Sequence, residues 1–310
     1  MKAFVEYVQN SLEENIGLIN LSVNQYKKIM KFKNAKNYLS YCFKQAIEYA
    51  HLQSHSTITT MPLIQFYSIL NLVKTFAIIK QNDRNITLTN IEKQFNSHGA
   101  SSKNRDDVKI NAKGTFIEFK KCFDRESNYD EEKNYSLKIL YKRLPDLHEY
   151  LPLVFKSENI DYHKVYYWQD YMYMTGDTNS AYLFHWLVMK QDLYVANLEK
   201  SKKLKIIEQL SNEMIIVSKI NQEESLNEFI QFDCENNLYI DSNQNEINEL
   251  LAIYLIFLKY SSLVRYKPKV WNEKINSDEL LIIEKILHLI FKRFWALIAK
   301  DLQKRESILI

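Results

Sequence analysis

Residues 247–271 read INELLAIYLIFLKYSSLVRYKPKVW. From Leu250 to Leu258 every side chain is apolar or a tyrosine, and Lys259 breaks the run. A helix without a polar face must be covered on every side, so this stretch predicts a helix at the centre of a large core. It falls far short of the ~20 residues that a membrane-spanning helix needs, so no membrane span is expected. Pro268 is expected to stop the helix, because the residue before a proline is pushed out of helical geometry. What leaves the helix, Arg265-Tyr266 through Trp271, is basic and aromatic. A helix exit of this kind is a place for a site.

A central helix needs partners, and the flanks supply them. Downstream, residues 279–302 read ELLIIEKILHLIFKRFWALIAKDL. Asn276 with Glu279 three residues on predicts its N-terminal cap, and Lys285, Lys292, Arg293 and Lys300 its solvent face. Upstream, residues 35–52 place Tyr38, Cys42, Ala46 and Tyr49 on one helical face. Pro62 then opens a second helix, LIQFYSILNLVKTFAII at residues 63–79. Gln65, Ser68, Asn71 and Thr75 form a narrow polar stripe along it, with Lys74 beside them. The stripe is expected to be a solvent-facing edge, the alternative being a pocket lining.

Between these helical ends the pattern changes. Residues 106–119, DDVKINAKGTFIEF, predict a hairpin turning at Asn111-Ala112-Lys113-Gly114. Residues 164–174, KVYYWQDYMYM, and 181–189, AYLFHWLVM, predict a second hairpin across TGDTNS. Shorter strands are expected at MIIVSKI, EFIQF and NLYI, with helices around residues 135–143 and 201–210. The fold class is therefore mainly α, in an α+β arrangement. Helical N- and C-terminal stretches (1–97 and 242–310) pack together with a small antiparallel sheet from the middle (98–241). No linker separates the stretches, so one interleaved domain of 310 residues is expected.

Composition excludes more than it assigns. Only 4 glycines occur in 310 residues, and each stands alone. Phosphate-cradling loops need several glycines in close sequence, so dinucleotide-binding and P-loop chemistries are not expected. The three cysteines, Cys42, Cys122 and Cys234, are far apart and form no CxxC pair. Neither a disulfide framework nor a thiolate zinc site is indicated, and reduced thiols in a cytoplasm are the expected state. A net charge of +3 is too mild to imply nucleic acid by itself. His51 with His55, and Glu284 with His288, have i, i+4 spacing but no evident third ligand, so no metal and no cofactor are expected.

The segments MPLIQFYSILNLVKTFAI (61–78), FNSHG (95–99), DDVKINAKGTF (106–116), YKRLPDL (141–147) and LVRYKPKVW (263–271) recur in this order in the chain. Together they resemble the YaaC-like family of bacterial proteins. The matching features are Pro62, Tyr67 and Lys74, then His98-Gly99, the strand from Asp107 to Ile110, and Arg265-Tyr266 with Pro268 and Trp271. The segment between His98-Gly99 and Asp107 looks shortened relative to the family. The resemblance implies a bacterial, cytoplasmic setting and no particular activity.

Candidate ligand-binding residues are Lys74, Asn71, His98, Lys103, Arg105, Arg265, Tyr266 and Trp271. His98 is a candidate general base with Lys103 and Arg105 clamping an anion. Arg265, Tyr266 and Trp271 are candidates for a stacking platform that nucleotides or nucleic acid would use. Arg143 and His148 fit the RxxxxH pattern of HEPN-type ribonucleases, which the resemblance to those enzymes would place at a scissile phosphate. Pro145 between them argues against one continuous helix carrying both. The aromatic run Tyr166, Tyr167, Trp168, Tyr171 and Tyr173 is expected to be cross-strand packing. Two functions follow. The first is a binding or interaction protein with an anion or nucleotide pocket and a protein partner or self-association. The second is an enzyme that cleaves RNA or nucleotides, of the kind used in antiviral defence.

Overall fold

The computed structural model describes residues 11–123, 133–147, 149–155 and 247–303, and the backbone of six strands within 162–241. The chain divides into two compact units, Met1–Lys156 with Ile247–Ile310, and Ser157–Glu246.

The first unit joins the two ends of the chain. Helix α1 (Leu12–Ile29) starts at Ser11, where a capping box with Glu14 satisfies two free backbone donors. Helix α2 (Lys33–Leu52) follows, then α3 (Met61–Gln81), which ends at Asn82 in left-handed geometry. Helix α4 (Leu88–Gln94) leads into strands β1 (Ala100–Ser102) and β2 (Asp107–Ile110). Helix α5 (Thr115–Lys120), strand β3 (Asn134–Ser136), α6 (Leu137–Tyr141) and α7 (Leu151–Val154) complete the N-terminal part. The apolar stretch becomes α8 (Glu249–Tyr266), capped by Asn248, whose Oδ1 accepts from Leu251 N at 2.9 Å. Then come α9 (Pro268–Ile275), α10 (Leu280–Lys285) and α11 (Phe291–Gln303).

The central-helix expectation holds: thirteen consecutive residues of α8, Glu249 to Ser261, are all buried. Helix α3 lies against α8, and α11 against α1, so the two helical ends form one core. Phe66 of α3, Phe116 and Phe119 of α5 and Tyr254 of α8 meet at its centre, with Phe66 and Tyr254 ring centroids 5.8 Å apart. The small sheet has the order β1-β2-β3, antiparallel throughout.

Several local expectations are corrected. Residues 106–119 are not a hairpin: β2 pairs with β1 and β3, and Thr115–Lys120 is helical. A short helix buried at Thr115 through Phe119 has no polar face to show its period, so its residues read equally well as a strand after the Asn111–Gly114 turn. The polar stripe of α3 is not a solvent edge. Gln65, Ser68 and Thr75 are fully buried and Asn71 nearly so. Ser68 donates to Ala46 O of α2 at 2.8 Å, and Gln65 to Leu287 O at 2.6 Å. Leu287 lies in a π-helical turn, Ile286–Ile290, between α10 and α11. Arg293 is buried rather than solvated, paired with Glu249 and Asp146. As expected, Pro268 stops α8, which ends at Tyr266, and it also opens α9. Asn276 does not cap α10: its Nδ2 donates to Asn272 O at 2.7 Å, and Glu279 occupies the cap position.

In the second unit, β4 (Tyr162–Met174) and β5 (Ala181–Lys190) pair antiparallel as the second predicted hairpin. The TGDTNS turn lies outside the described residues. Strands β6 (Leu204–Gln209), β7 (Met214–Lys219), β8 (Ile230–Phe232) and β9 (Leu238–Asp241) extend the sheet in the order β6-β7-β5-β4-β9-β8. Residues 204–209 are thus a strand and not the expected helix, because an edge position beside β7 is open to them. The side chains of the aromatic run in β4 lie outside the described residues.

Candidate functional site

The site is built where α3, the turn after α4 and the end of α8 meet. On α3 the half-buried positions Tyr67 and Lys74 are seven residues apart, so they share one helical face amid buried neighbours. At the end of α8, Arg265 and Tyr266 emerge from the core, and Tyr266 is 69% exposed. The Arg265 guanidinium lies over both the Tyr67 and Tyr266 rings, 5.4 Å from each centroid. It donates to the Tyr67 hydroxyl and, at 3.2 Å, to that of Tyr266. Tyr49 of α2 stacks behind Tyr67 at 5.5 Å. The bond to Tyr266 holds the Arg265 pKa above its already high ordinary value.

His98 comes from the turn before β1, and its backbone is pinned. Its carbonyl accepts from Phe116 N at 3.0 Å and from the Tyr254 hydroxyl at 2.8 Å. Two glycines make this possible. A Cβ on Gly99 (φ +77°) would lie 2.6 Å from Phe116 N, and one on Gly114 (φ +112°) 2.6 Å from Gly99 N. Both φ values are ones that L side chains rarely adopt. The His98 ring packs edge-on against Phe66 at 5.3 Å. Lost solvation, with the charges of Lys74 and Arg265, holds its pKa below the ordinary histidine value. Lys74 also acts on the Cys42 thiol, whose pKa is nevertheless raised by burial.

A cavity of about 300 Å³ opens here. Phe66 and Leu258 supply apolar surface, and Ser101, Ser102, Ser261 and Ser262 supply hydroxyls. His98, Arg265 and Tyr266 complete the wall, and no carboxylate lines it. Among the described residues, neither Lys74 nor Arg265 forms an ion pair with an acid.

Of the candidates read from sequence, the structure brings Lys74, His98, Arg265 and Tyr266 together. The others go elsewhere. Asn71 turns back on its own helix and donates to Tyr67 O at 3.1 Å. Lys103 sits exposed on the β1–β2 turn, and Arg105 is paired with Glu273 at 3.2 Å, so the proposed clamp on His98 does not form. Trp271 is buried: its Nε1 donates to Ile58 O at 3.3 Å and its ring meets Tyr260 at 5.1 Å. Tyr67 takes its place beside the guanidinium. Arg143 is 2% exposed, with Nε donating to Ile247 O at 2.9 Å, which leaves no approach for a phosphate. His148 lies outside the described residues. His51 meets Glu13 at 3.0 Å. Among the described residues no group of three His, Cys, Asp or Glu gathers for a metal.

Lys259 was passed over in the sequence. It is fully buried beneath the cavity, and its position in an apolar helix was the available signal, since a buried lysine must find acceptors.

A family model for YaaC-like protein matches residues 4–302. The chain belongs to the YaaC-like family. Of the residues that suggested it in sequence, His98, Arg265 and Tyr266 line one cavity in this YaaC-like fold, while Tyr67 lies under the Arg265 guanidinium and Lys74 is close enough to act on His98. No curated protein and no solved structure matches the chain. Among the described residues one helix, Met61–Gln81, is long and apolar enough to cross a membrane, and 78% of its most apolar window is buried within the fold.

Proposed function

We propose that this YaaC-like protein is a binding protein whose cavity takes a small anionic ligand of the nucleotide class. The observation that carries the reading is Arg265 in the cavity wall, which meets no acid among the described residues; with Lys74 nearby it adds to the burial that depresses His98. Unneutralised cations beside a hollow without carboxylates favour an anion. The exposed Tyr266 ring at the rim offers a stacking face for a planar base. The volume, about 300 Å³, is at the small end of ligand sites and suits a mononucleotide better than a polymer.

Thermal shift and calorimetry with a panel of nucleoside phosphates test this. A member of the panel raises the melting temperature of the wild-type protein, and Arg265→Ala weakens its affinity about 10- to 100-fold, the range for a hydrogen bond to a charged group. Affinity also strengthens as pH falls through the depressed pKa of His98, because the imidazolium adds charge. No binding by any member ends the reading.

One observation favours a catalytic second reading: an imidazole held neutral beside two cations is equipped to take a proton from a nucleophile. RNA and nucleotide cleavage by wild-type protein and by His98→Ala decide it. Equal, negligible rates remove it.

A further inference from the structure

Lys259 projects from α8 toward the β1–β2 turn and is fully buried. Its ammonium donates to Ser102 Oγ at 2.9 Å, Asn104 O at 2.7 Å and Asp107 O at 2.9 Å. An ammonium carries three N–H donors and no acceptor, so every donor is engaged. The Ser102 oxygen therefore accepts from Lys259, and its own hydroxyl hydrogen must point elsewhere. Ser102 lines the cavity together with His98 and Arg265. Ser261, on the same cavity, is set the opposite way: its hydroxyl donates to Leu258 O at 2.9 Å, so it offers lone pairs only.

We infer that Lys259 is a positioning residue that fixes the Ser102 hydroxyl as a donor into the cavity, and that the ligand seats an oxyanion between Ser102 and Arg265. This rests on the anion-binding reading above and deepens it, by naming the ligand group and the residues that select it. The arrangement reverses when Lys259 loses its proton. The neutral amine has a lone pair, Ser102 turns to donate to it, and the cavity loses a donor. Burial brings the Lys259 pKa down to about 8, assisted by Lys267 and Lys274 and opposed by Asp106 and Asp107. Those four groups come from the end of α8, from α9 and from the β1–β2 turn that packs on it. The cavity therefore prefers oxyanions near neutral pH and releases them as pH passes 8.

Calorimetry with inorganic sulfate and with adenosine 5′-monophosphate tests this at pH 7.5 and pH 9, where the charge of neither probe changes. Wild-type affinity is expected to fall several-fold between the two pH values. Ser102→Ala should lose about 10-fold at pH 7.5, the low end for a hydrogen bond to an anion, and show a flat pH profile. Ser261→Ala should change little. Lys259→Met should also flatten the profile; if it does not fold, Ser102→Ala decides alone. If the wild type binds neither probe, the anion-binding reading falls and this inference with it. If the wild type binds and Ser102→Ala binds equally well with the same pH profile, the inference alone is overturned.

Discussion

Single residues do two kinds of work around the cavity. Gly99 and Gly114 let two stretches of backbone touch, which fixes where His98 stands. Neither clash can be relieved by turning a flexible side chain, since the nearest atoms include backbone nitrogens. Gly99→Ala is therefore expected to cost about 1–3 kcal/mol, read as a lowered urea midpoint, and to weaken ligand binding by displacing His98. Lys259 works through charge. Its pKa drops on folding from 10.5 to about 8. Between those values the unfolded chain holds a proton that the folded chain has released, so stability rises with pH there. Below pH 8 the cost of the buried charge is fully present. Wild-type stability, measured relative to Lys259→Met, should accordingly increase from pH 8 to pH 10. Above pH 10 the buried Tyr254 and Tyr260 act with the opposite sign. Burial raises their pKa, so the stability they hold is lost as the unfolded chain ionises.

At the scale of elements, α3 shows how a polar stripe is used in a core. Its hydrogen-bonding side chains reach α2 through Ala46 O and the C-terminal helix through Leu287 O. The π-helical turn at Ile286–Ile290 shifts the local backbone bonding pattern, and Gln65 supplies a donor to one of its carbonyls. Gln65→Ala removes that donor together with the bond to Gln53 Oε1 and empties a buried position. The expected loss is about 1–3 kcal/mol in chemical unfolding, and Gln65→Leu, which fills the space, should lose no more. The same helix carries Phe66 to the cavity wall and Tyr67 under the Arg265 guanidinium, so one element serves both packing and site.

Over the whole molecule, the first unit is closed by groups far apart in sequence. Arg293 of α11 pairs with Glu249 at the start of α8, with Nη2 to Oε2 at 3.1 Å, and with Asp146 at 3.3 Å, all with nearly inaccessible side chains. Removing one partner of a buried ion cluster strands the rest in low dielectric. Arg293→Met is expected to destabilise by about 3–5 kcal/mol in urea unfolding, far more than Lys292→Met on the solvent side of the same helix. The same closure explains why the cavity exists at all: α3, the His98 turn and α8 become neighbours only when both helical ends share a core.

Sequence by itself determined the family, the mainly helical class and the joining of the two ends, because an all-apolar helix at 250–258 leaves no other way to be covered. It also singled out Lys74 beside the polar stripe of α3, and His98, Arg265 and Tyr266 at element ends. Tertiary structure alone decided which polar groups face the cavity. Periodicity records how many sides of a helix are polar, but not whether a polar side meets water, a carbonyl or a hollow. For that reason Trp271, Arg143 and Arg293 went to the core, and Lys259, hidden in an apolar run, became the residue that orients Ser102.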